Sequence, residues 1–248
     1  MSLFYAALYL AALKRLESKI FSVGEAVIEN AIDNILFDLD GTLLDGDSTT
    51  VWISDRLKTS RLKTVAALFV FPFIFPLLVF MPTRHWAAGI MIWLAAKGMT
   101  KGELFASFED FAKTVKTGHP KLKWRSAGLS VLKQYKEAGH KVIIVTAAPE
   151  WLARALFDAL NINVAVIGST LKPAIGGWTG DERCNHDAKC SRLKAQGHGE
   201  AWAAAYSDSP DDIPLLLGAE RPYVVNCESK SKVRKFEKYV PSYESVSW

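Results

Sequence analysis

The chain has 248 residues, half of them hydrophobic and 23% charged, which is enough for the core of one or two domains and excludes a disordered or fibrous protein. The net charge of +4, from 30 Lys and Arg against 26 Asp and Glu, suits anionic partners such as phosphate groups or an anionic membrane surface, and falls short of a nucleic-acid signal. Three irregularly spaced cysteines, Cys184, Cys190 and Cys227, argue against a disulfide framework and for a reducing compartment.

The chain opens on MSLFYAALYLAALKRLESK, whose basic residues follow its apolar stretch. A secretory signal has the opposite order, so residues 1–32 read as an amphipathic helical segment, either free to lie on a surface or packed on the rest of the protein. Asn34–Phe37 reads as a short buried strand. From Asp47 to about Pro120 the pattern is helical and interrupted. Inside it, Val65–Met81 is a run of 17 residues with no polar side chain. A membrane-spanning helix needs about 20 apolar residues, with a lower limit near 17. Pro72 and Pro76 lie inside the run, where each costs a helix in water about 3 kcal/mol. Arg56, Lys58, Arg61 and Lys63 precede it, Arg84 follows it, and a second apolar stretch covers Ala87–Ala96. The pattern predicts a helical hairpin around a basic turn that dips into one leaflet; a buried helix pair in a cap domain is the alternative.

Leu122–Ala138 is predicted as an amphipathic helix, with Leu129, Leu132 and Tyr135 inward and Gly139 as its stop. A strand over Lys141–Val145 ends at Thr146. Pro149 opens a helix with Leu152, Leu156 and Leu160 on one face. Val164–Ile167 is a further strand, and Glu200–Tyr206 leads into the acidic loop SDSPDD. Ile213–Leu217 is helical and Tyr223–Val225 is the last predicted strand. This alternation means an α/β fold with a parallel sheet and helices on both faces. Ligands of such sheets bind beyond the carboxyl ends of the strands.

The chemically active residue types gather at that edge. Asp38 and Asp40 end the first strand in ILFDLDGTLL, Thr146 ends another, and Asp208 and Asp212 follow a third. Carboxylates crowded there need counter-charge. A hard divalent cation with oxygen ligands fits, Mg²⁺ being usual where phosphate is bound, and Lys189 is a second counter-charge. Lys194 competes with Lys189 for that place, and Asp211 with Asp212. Cys184, His186 and Cys190 match no standard zinc spacing.

Asp38-Leu39-Asp40-Gly41-Thr42, Thr146, Lys189 and Asp208…Asp212 resemble, in order, the four motifs of the haloacid dehalogenase (HAD) phosphohydrolases. The resemblance implies a Rossmann-like core over 33–46 plus 121–248, with a helical, apolar cap over 47–120. It implies that Asp38 attacks phosphorus and forms an aspartyl-phosphate, and that Asp40 acts as general acid and then base. Thr146 would hydrogen-bond a phosphoryl oxygen, and Lys189 would hold the nucleophile and the phosphate. Thr42 and Ala147 would lie at the substrate. Mg²⁺ would be held by Asp38, the Asp40 carbonyl and Asp208, with Asp212 behind.

The long insert after the first motif, with only 42 residues between Thr146 and Lys189, is similar to the subgroup containing phosphoserine phosphatase. The apolar insert with Arg84-His85-Trp86 and Trp93, GGWTGDERCNHDAK at 176–189 and YSDSPDDIPLL at 206–216 look like the membrane-associated phosphatidylglycerophosphatase C family. His186 and Ala188 depart from the Gly and Glu expected there. That family implies a lipid phosphate substrate, with association to a bacterial inner membrane and the core facing the cytoplasm. A soluble small phosphomonoester, with a cytoplasmic enzyme, is the alternative. On the lipid reading Arg84 or Lys97 would steer the headgroup, and Trp86 and Trp93 would sit at the membrane interface.

Overall fold

The structure, a computed structural model, describes residues 33–79 and 84–248. The expected amphipathic segment over 1–32 and the turn of the apolar hairpin lie outside these residues. The first strand, β1 (Asn34–Phe37), is buried along its whole length, as strands covered by helices on both faces are. After it come a short β2 (Leu44–Asp45) and four helices: α1 (Ser48–Lys58), α2 (Arg61–Val79), α3 (Arg84–Ala95) and α4 (Lys101–Gly118). β3 (Lys123–Trp124) returns to pair antiparallel with β2. There follow α5 (Ser126–Glu137), β4 (Lys141–Pro149), α6 (Glu150–Ala159), β5 (Ala165–Ser169) and a hairpin of β6 (Leu171–Ala174) and β7 (Gly177–Gly180). The chain continues through α7 (Asp187–Ala195), β8 (Trp202–Ser207), a 3₁₀ turn (Pro210–Asp212), α8 (Ile213–Leu217), β9 (Ala219–Val225), α9 (Lys230–Tyr239) and β10 (Glu244–Val246).

Six strands form one parallel sheet in the order β10-β9-β8-β1-β4-β5. This is the α/β architecture with a parallel sheet that the alternation of elements predicts, and it agrees with the Rossmann-like core that the resemblance to the HAD phosphohydrolases implies. β1 is central, and its alternating side chains go to opposite faces. Ile35 and Phe37 join Leu132 of α5, Leu152 and Leu156 of α6 and Tyr206. Leu36 joins Leu193 of α7, Leu215 of α8 and Phe236 of α9.

The four helices α1–α4 are inserted through one narrow neck. Gly46 has φ +113°, and a Cβ there would lie 2.8 Å from the Leu122 side chain and 2.9 Å from the Lys121 carbonyl. Only glycine lets the outgoing and returning chains pass this closely. Asp47 caps α1 by accepting from the Thr50 N–H at 2.6 Å, and Thr100 with Glu103 forms a reciprocal capping box at the start of α4. Inside the insert, the fully buried Trp52 donates to Ser107 Oγ at 3.0 Å and packs on Phe108.

The elements depart from expectation in several places. The helix expected from Leu122 begins at Ser126, because Lys123–Trp124 are drawn into pairing with Leu44–Asp45 and the Arg125 N–H donates to the Leu43 carbonyl. β4 runs past Val145 to Pro149, with a register shift between them. Tyr223–Val225 is not the last strand: β10, a polar segment without the apolar pattern of a buried strand, adds beyond β9. The β6–β7 hairpin was unexpected. Pro72 and Pro76 do not break the apolar run, since α2 continues through both. Among the described residues, no helix is long and apolar enough to cross a membrane.

Candidate active site

Strand register brings the polar residues to one edge. Phe37 lies opposite Ile144 of β4 and Tyr206 of β8, so the next residues of all three strands emerge together. These are Asp38, Val145-Thr146 and Ser207-Asp208. Asp38 is fixed there by its N–H donating to the Tyr206 carbonyl at 2.9 Å.

The centre is a buried ammonium between two buried carboxylates. Lys189 Nζ donates to Asp38 Oδ1 at 2.7 Å and to Asp212 Oδ2 at 2.8 Å. Burial would lower the Lys189 pKa, but Asp212 and Asp38 overcome that and raise it, so the amine stays charged. Burial pushes the Asp38 carboxyl above the usual carboxylate range, Lys189 pulls it back, and Asp212 adds to the rise. Asp212 Oδ2 also accepts from the buried Ser207 hydroxyl at 2.7 Å, which fixes it as the orienter of Lys189. Neither competitor reaches this place. Lys194 pairs with Glu200 at the surface, and Asp211 faces His186 at 3.8 Å.

Asp40 is held by the insert. Its Oδ1 accepts from the Ser48 N–H at 2.9 Å and its Oδ2 from the Ser48 hydroxyl at 3.0 Å. Burial and then Asp47 push its pKa up to about 8, against the two Ser48 bonds. A carboxyl with that pKa carries its proton at neutral pH, which is the state a general acid needs. Thr146 is buried, and its Oγ1 accepts from the Ala148 N–H at 3.1 Å, leaving the hydroxyl proton to donate. Ala147 is exposed beside it where β4 shifts register.

Asp208 approaches the turn after Asp40. A Cβ on residue 41, where φ is +84°, would lie 2.5 Å from Asp208 Oδ1, so this approach requires glycine. Thr42, fully buried, ties the loop: its Oγ1 accepts from the Asp208 N–H at 3.1 Å and lies 3.4 Å from Asp208 Oδ1. Lys232 of α9 donates to Asp208 Oδ2 at 2.9 Å and to its carbonyl at 3.1 Å. Asp38, the Asp40 carbonyl and Asp208 are all oxygen donors, and among the described residues the four aspartates here are offset by the ion pairs of Lys189 with Asp38 and Asp212 and of Lys232 with Asp208, which leaves an excess of negative charge that fits a hard divalent cation. Among the described residues, no three Asp, Glu, His or Cys side chains converge into a ready cage. The expected set does not need one, because it combines two carboxylates with a backbone carbonyl.

Sequence reasoning missed Ser48, Ser207 and Lys232. Ser48 and Ser207 could have been suspected, since each stands among acidic residues in DGDS and YSDS. Lys232 lies in a basic helix with no local signal. Arg84 opens α3, but its side chain lies outside the described part. Trp93, expected at a membrane interface, lies in the structure beside the β6–β7 hairpin. Its Nε1 donates to the Ile175 carbonyl at 2.8 Å, and the Lys97 ammonium sits 4.2 Å above its ring. It belongs to a seam between the insert and the β6–β7 hairpin. Thr179 Oγ1 donates to the Gly89 carbonyl at 3.1 Å, Trp178 Nε1 to the Met99 carbonyl at 3.0 Å, and the Gly98 N–H to the Gly176 carbonyl at 2.6 Å.

A family model described as haloacid dehalogenase-like hydrolase matches residues 35–217, the stretch that holds every one of the expected motifs. The chain belongs to that family. The expectation of a hydrolase of the phosphatase type is met at the level of the family. Among relatives of this haloacid dehalogenase-like hydrolase, Protein CicA of Caulobacter vibrioides is 26% identical over 196 residues, covering 75% of this chain and 82% of CicA. A protein of unknown function from Bordetella pertussis Tohama I shares the fold with a TM-score of 0.67 at 22% identity, over 87% of this chain and 98% of that one. A phospho-aspartyl intermediate analogue of phosphoserine phosphatase shares it with a TM-score of 0.51 at 17% identity, over 82% and 90%.

Proposed function

We propose that this protein is a Mg²⁺-dependent phosphomonoester hydrolase working through an aspartyl-phosphate on Asp38. The observation that carries the reading is the pairing of two unlike carboxyls at one strand end. Asp38 is bonded to a buried ammonium, which opposes the rise that burial causes and favours the nucleophilic form, whereas Asp40, pushed up to about 8, is held by the Ser48 amide and hydroxyl. An Asp38 oxygen attacks phosphorus as the ester oxygen departs with the Asp40 proton. Asp40, now ionised, takes a proton from water, which attacks the phosphoaspartate and frees inorganic phosphate and Asp38. Lys189 offsets charge on the phosphoryl oxygens while Asp212 and Ser207 hold it, and Thr146 donates to one of those oxygens. Asp38, the Asp40 carbonyl and Asp208 would hold Mg²⁺, which supplies charge neutralisation at the phosphoryl group when bound.

The fold shared with phosphoserine phosphatase supports a small soluble phosphomonoester as substrate. A second reading, a lipid phosphate such as phosphatidylglycerophosphate, is favoured by the exposed apolar side chains of α2 beside the site's cover. Phosphate release from phosphoserine and from phosphatidylglycerophosphate in detergent, each with Mg²⁺ and with a chelator, tests both. Turnover of either that vanishes in Asp38→Asn supports the mechanism. Full activity in that variant overturns it, and the preferred substrate decides between the two readings.

A further inference from the structure

The outer face of α2 leaves large apolar side chains in water. Water is an unfavourable neighbour for it: Phe69 is 74% exposed and Phe73 80%, with Leu68, Phe75 and Val79 also outward. The Phe71 and Phe75 rings meet at 5.8 Å, tilted by 45°, outside the protein's core. A patch of this kind marks a site of contact.

Charge selects the occupant. From residue 56 to residue 102 the chain carries seven Lys and Arg and no Asp or Glu. Lys58 and Arg61 are exposed at the base of α2, and Lys63 Nζ donates to the Ala95 carbonyl at the end of α3. Two copies meeting through this surface would bring like collars together, whereas an anionic bilayer offers apolar depth and opposite charge at once. We infer that α2 and α3 dock the protein on anionic phospholipid bilayers, burying the aromatic face of α2 in one leaflet with Lys58 and Arg61 among the headgroups.

The depth is set by the prolines. Pro72 and Pro76 lack the N–H that would meet the carbonyls of Leu68 and Pro72. Unpaired carbonyls are costly in hydrocarbon, so α2 lies shallow and oblique. From Val65 to Val79 the apolar part of α2 is about 22 Å long at 1.5 Å per residue, against a hydrocarbon core of about 30 Å. It therefore enters and does not cross, consistent with the absence of a crossing helix among the described residues. The inference is independent of the substrate and of the phosphatase reading, because a bilayer-bound enzyme can act on either kind of ester.

The test uses the full chain and vesicles of phosphatidylcholine with or without phosphatidylglycerol. The expected result is co-sedimentation with phosphatidylglycerol vesicles that is weaker in high salt. Phe69→Ser with Phe73→Ser should weaken it at least tenfold on both vesicle types. Lys58→Gln with Arg61→Gln should weaken only the anionic binding, by roughly 25-fold at about fivefold per basic residue. Hydrogen exchange on the unmodified protein should slow in 61–95 when vesicles are added. No co-sedimentation, or binding unchanged in the Phe69/Phe73 variant, overturns the inference. So does a dimer in solution that the same variant dissociates, which would make a second copy the occupant, or a monomer whose α2 is already protected without lipid, which would make residues 1–32 the occupant.

Discussion

The strand edge and the apolar hairpin invert each other. At the edge, charged groups are kept from water: Lys189, Asp38 and Asp212 are all buried. On the hairpin, phenylalanines are held out in it. Each arrangement is unfavourable by itself, and each is tolerable because of what stands opposite. Lys189 has two carboxylates within 2.8 Å, so its desolvation is repaid locally. Phe69 and Phe73 have no such neighbour in the described chain. An inward inversion is thus completed by the fold, and an outward one needs something that the fold does not supply.

The comparison can be broken most sharply at Asp38. Asp38→Asn should cut phosphate release by about 10⁴-fold or more while leaving the circular dichroism and melting profile of the native fold. Lys189→Met comes next. It leaves Asp38 and Asp212 facing each other without their cation, and denaturant unfolding should show a loss of about 3–5 kcal/mol together with loss of activity.

Asp40 gives a pH-dependent test. Its carboxyl titrates near 8 in the folded chain and near 4 when unfolded. Below about pH 4 both states hold the proton, so burial carries no penalty. Between about 4 and 8 only the folded state holds it, and stability falls as pH rises, by on the order of 1 kcal/mol per unit. In metal-free buffer, Asp40→Asn should remove the Asp40 share of this slope and leave that of Asp38, so urea midpoints of variant and parent should diverge from pH 5 to pH 8, with the parent falling more steeply. A parent with a flat profile would show that Asp40 is ionised throughout. A smaller loss, about 1 kcal/mol, is expected for Trp93→Phe, which deletes the bond to the Ile175 carbonyl; hydrogen exchange at 171–180 reads the loosened seam.

The smallest effect should come from the hairpin. Phe73→Ala should change stability in water by less than about 0.5 kcal/mol. Phe37→Ala, one strand position before Asp38, should cost about 3–5 kcal/mol in the same titration. Equal costs at the two phenylalanines would abolish the contrast.

How far the sequence foretold all this depended on how local each signal was. Asp38, Asp40 and Gly41 lie within four residues of a buried apolar strand, and that density made both the strand end and the crowding readable. Asp208 and Asp212 share one short loop, so their common place was readable too. Ser48 holds Asp40 from eight residues away across the neck of the insert, and Lys232 meets Asp208 from 24 residues on. Neither leaves a periodic trace, since such contacts depend on where two elements pack. β3 and β10 were missed for a related reason. Lys123–Trp124 and Glu244–Val246 are strands because a neighbouring strand recruits them, and their own residues do not demand it. α2 failed the other way: a proline penalty reckoned for an isolated helix did not decide a helix packed against α3.

Ser48 has a consequence for selectivity. It is the first residue of the inserted helices, yet it holds Asp40, the proton donor of the proposed mechanism, through both its amide and its hydroxyl. On the proposed mechanism, a shift of the insert would carry the partner of Asp40 with it. An ester too bulky to let the insert settle would still present phosphorus to Asp38, but its departing oxygen would find the acid out of place. Discrimination would then fall on the leaving group, and esters whose leaving groups need no proton, such as nitrophenyl phosphate, should pass unsorted.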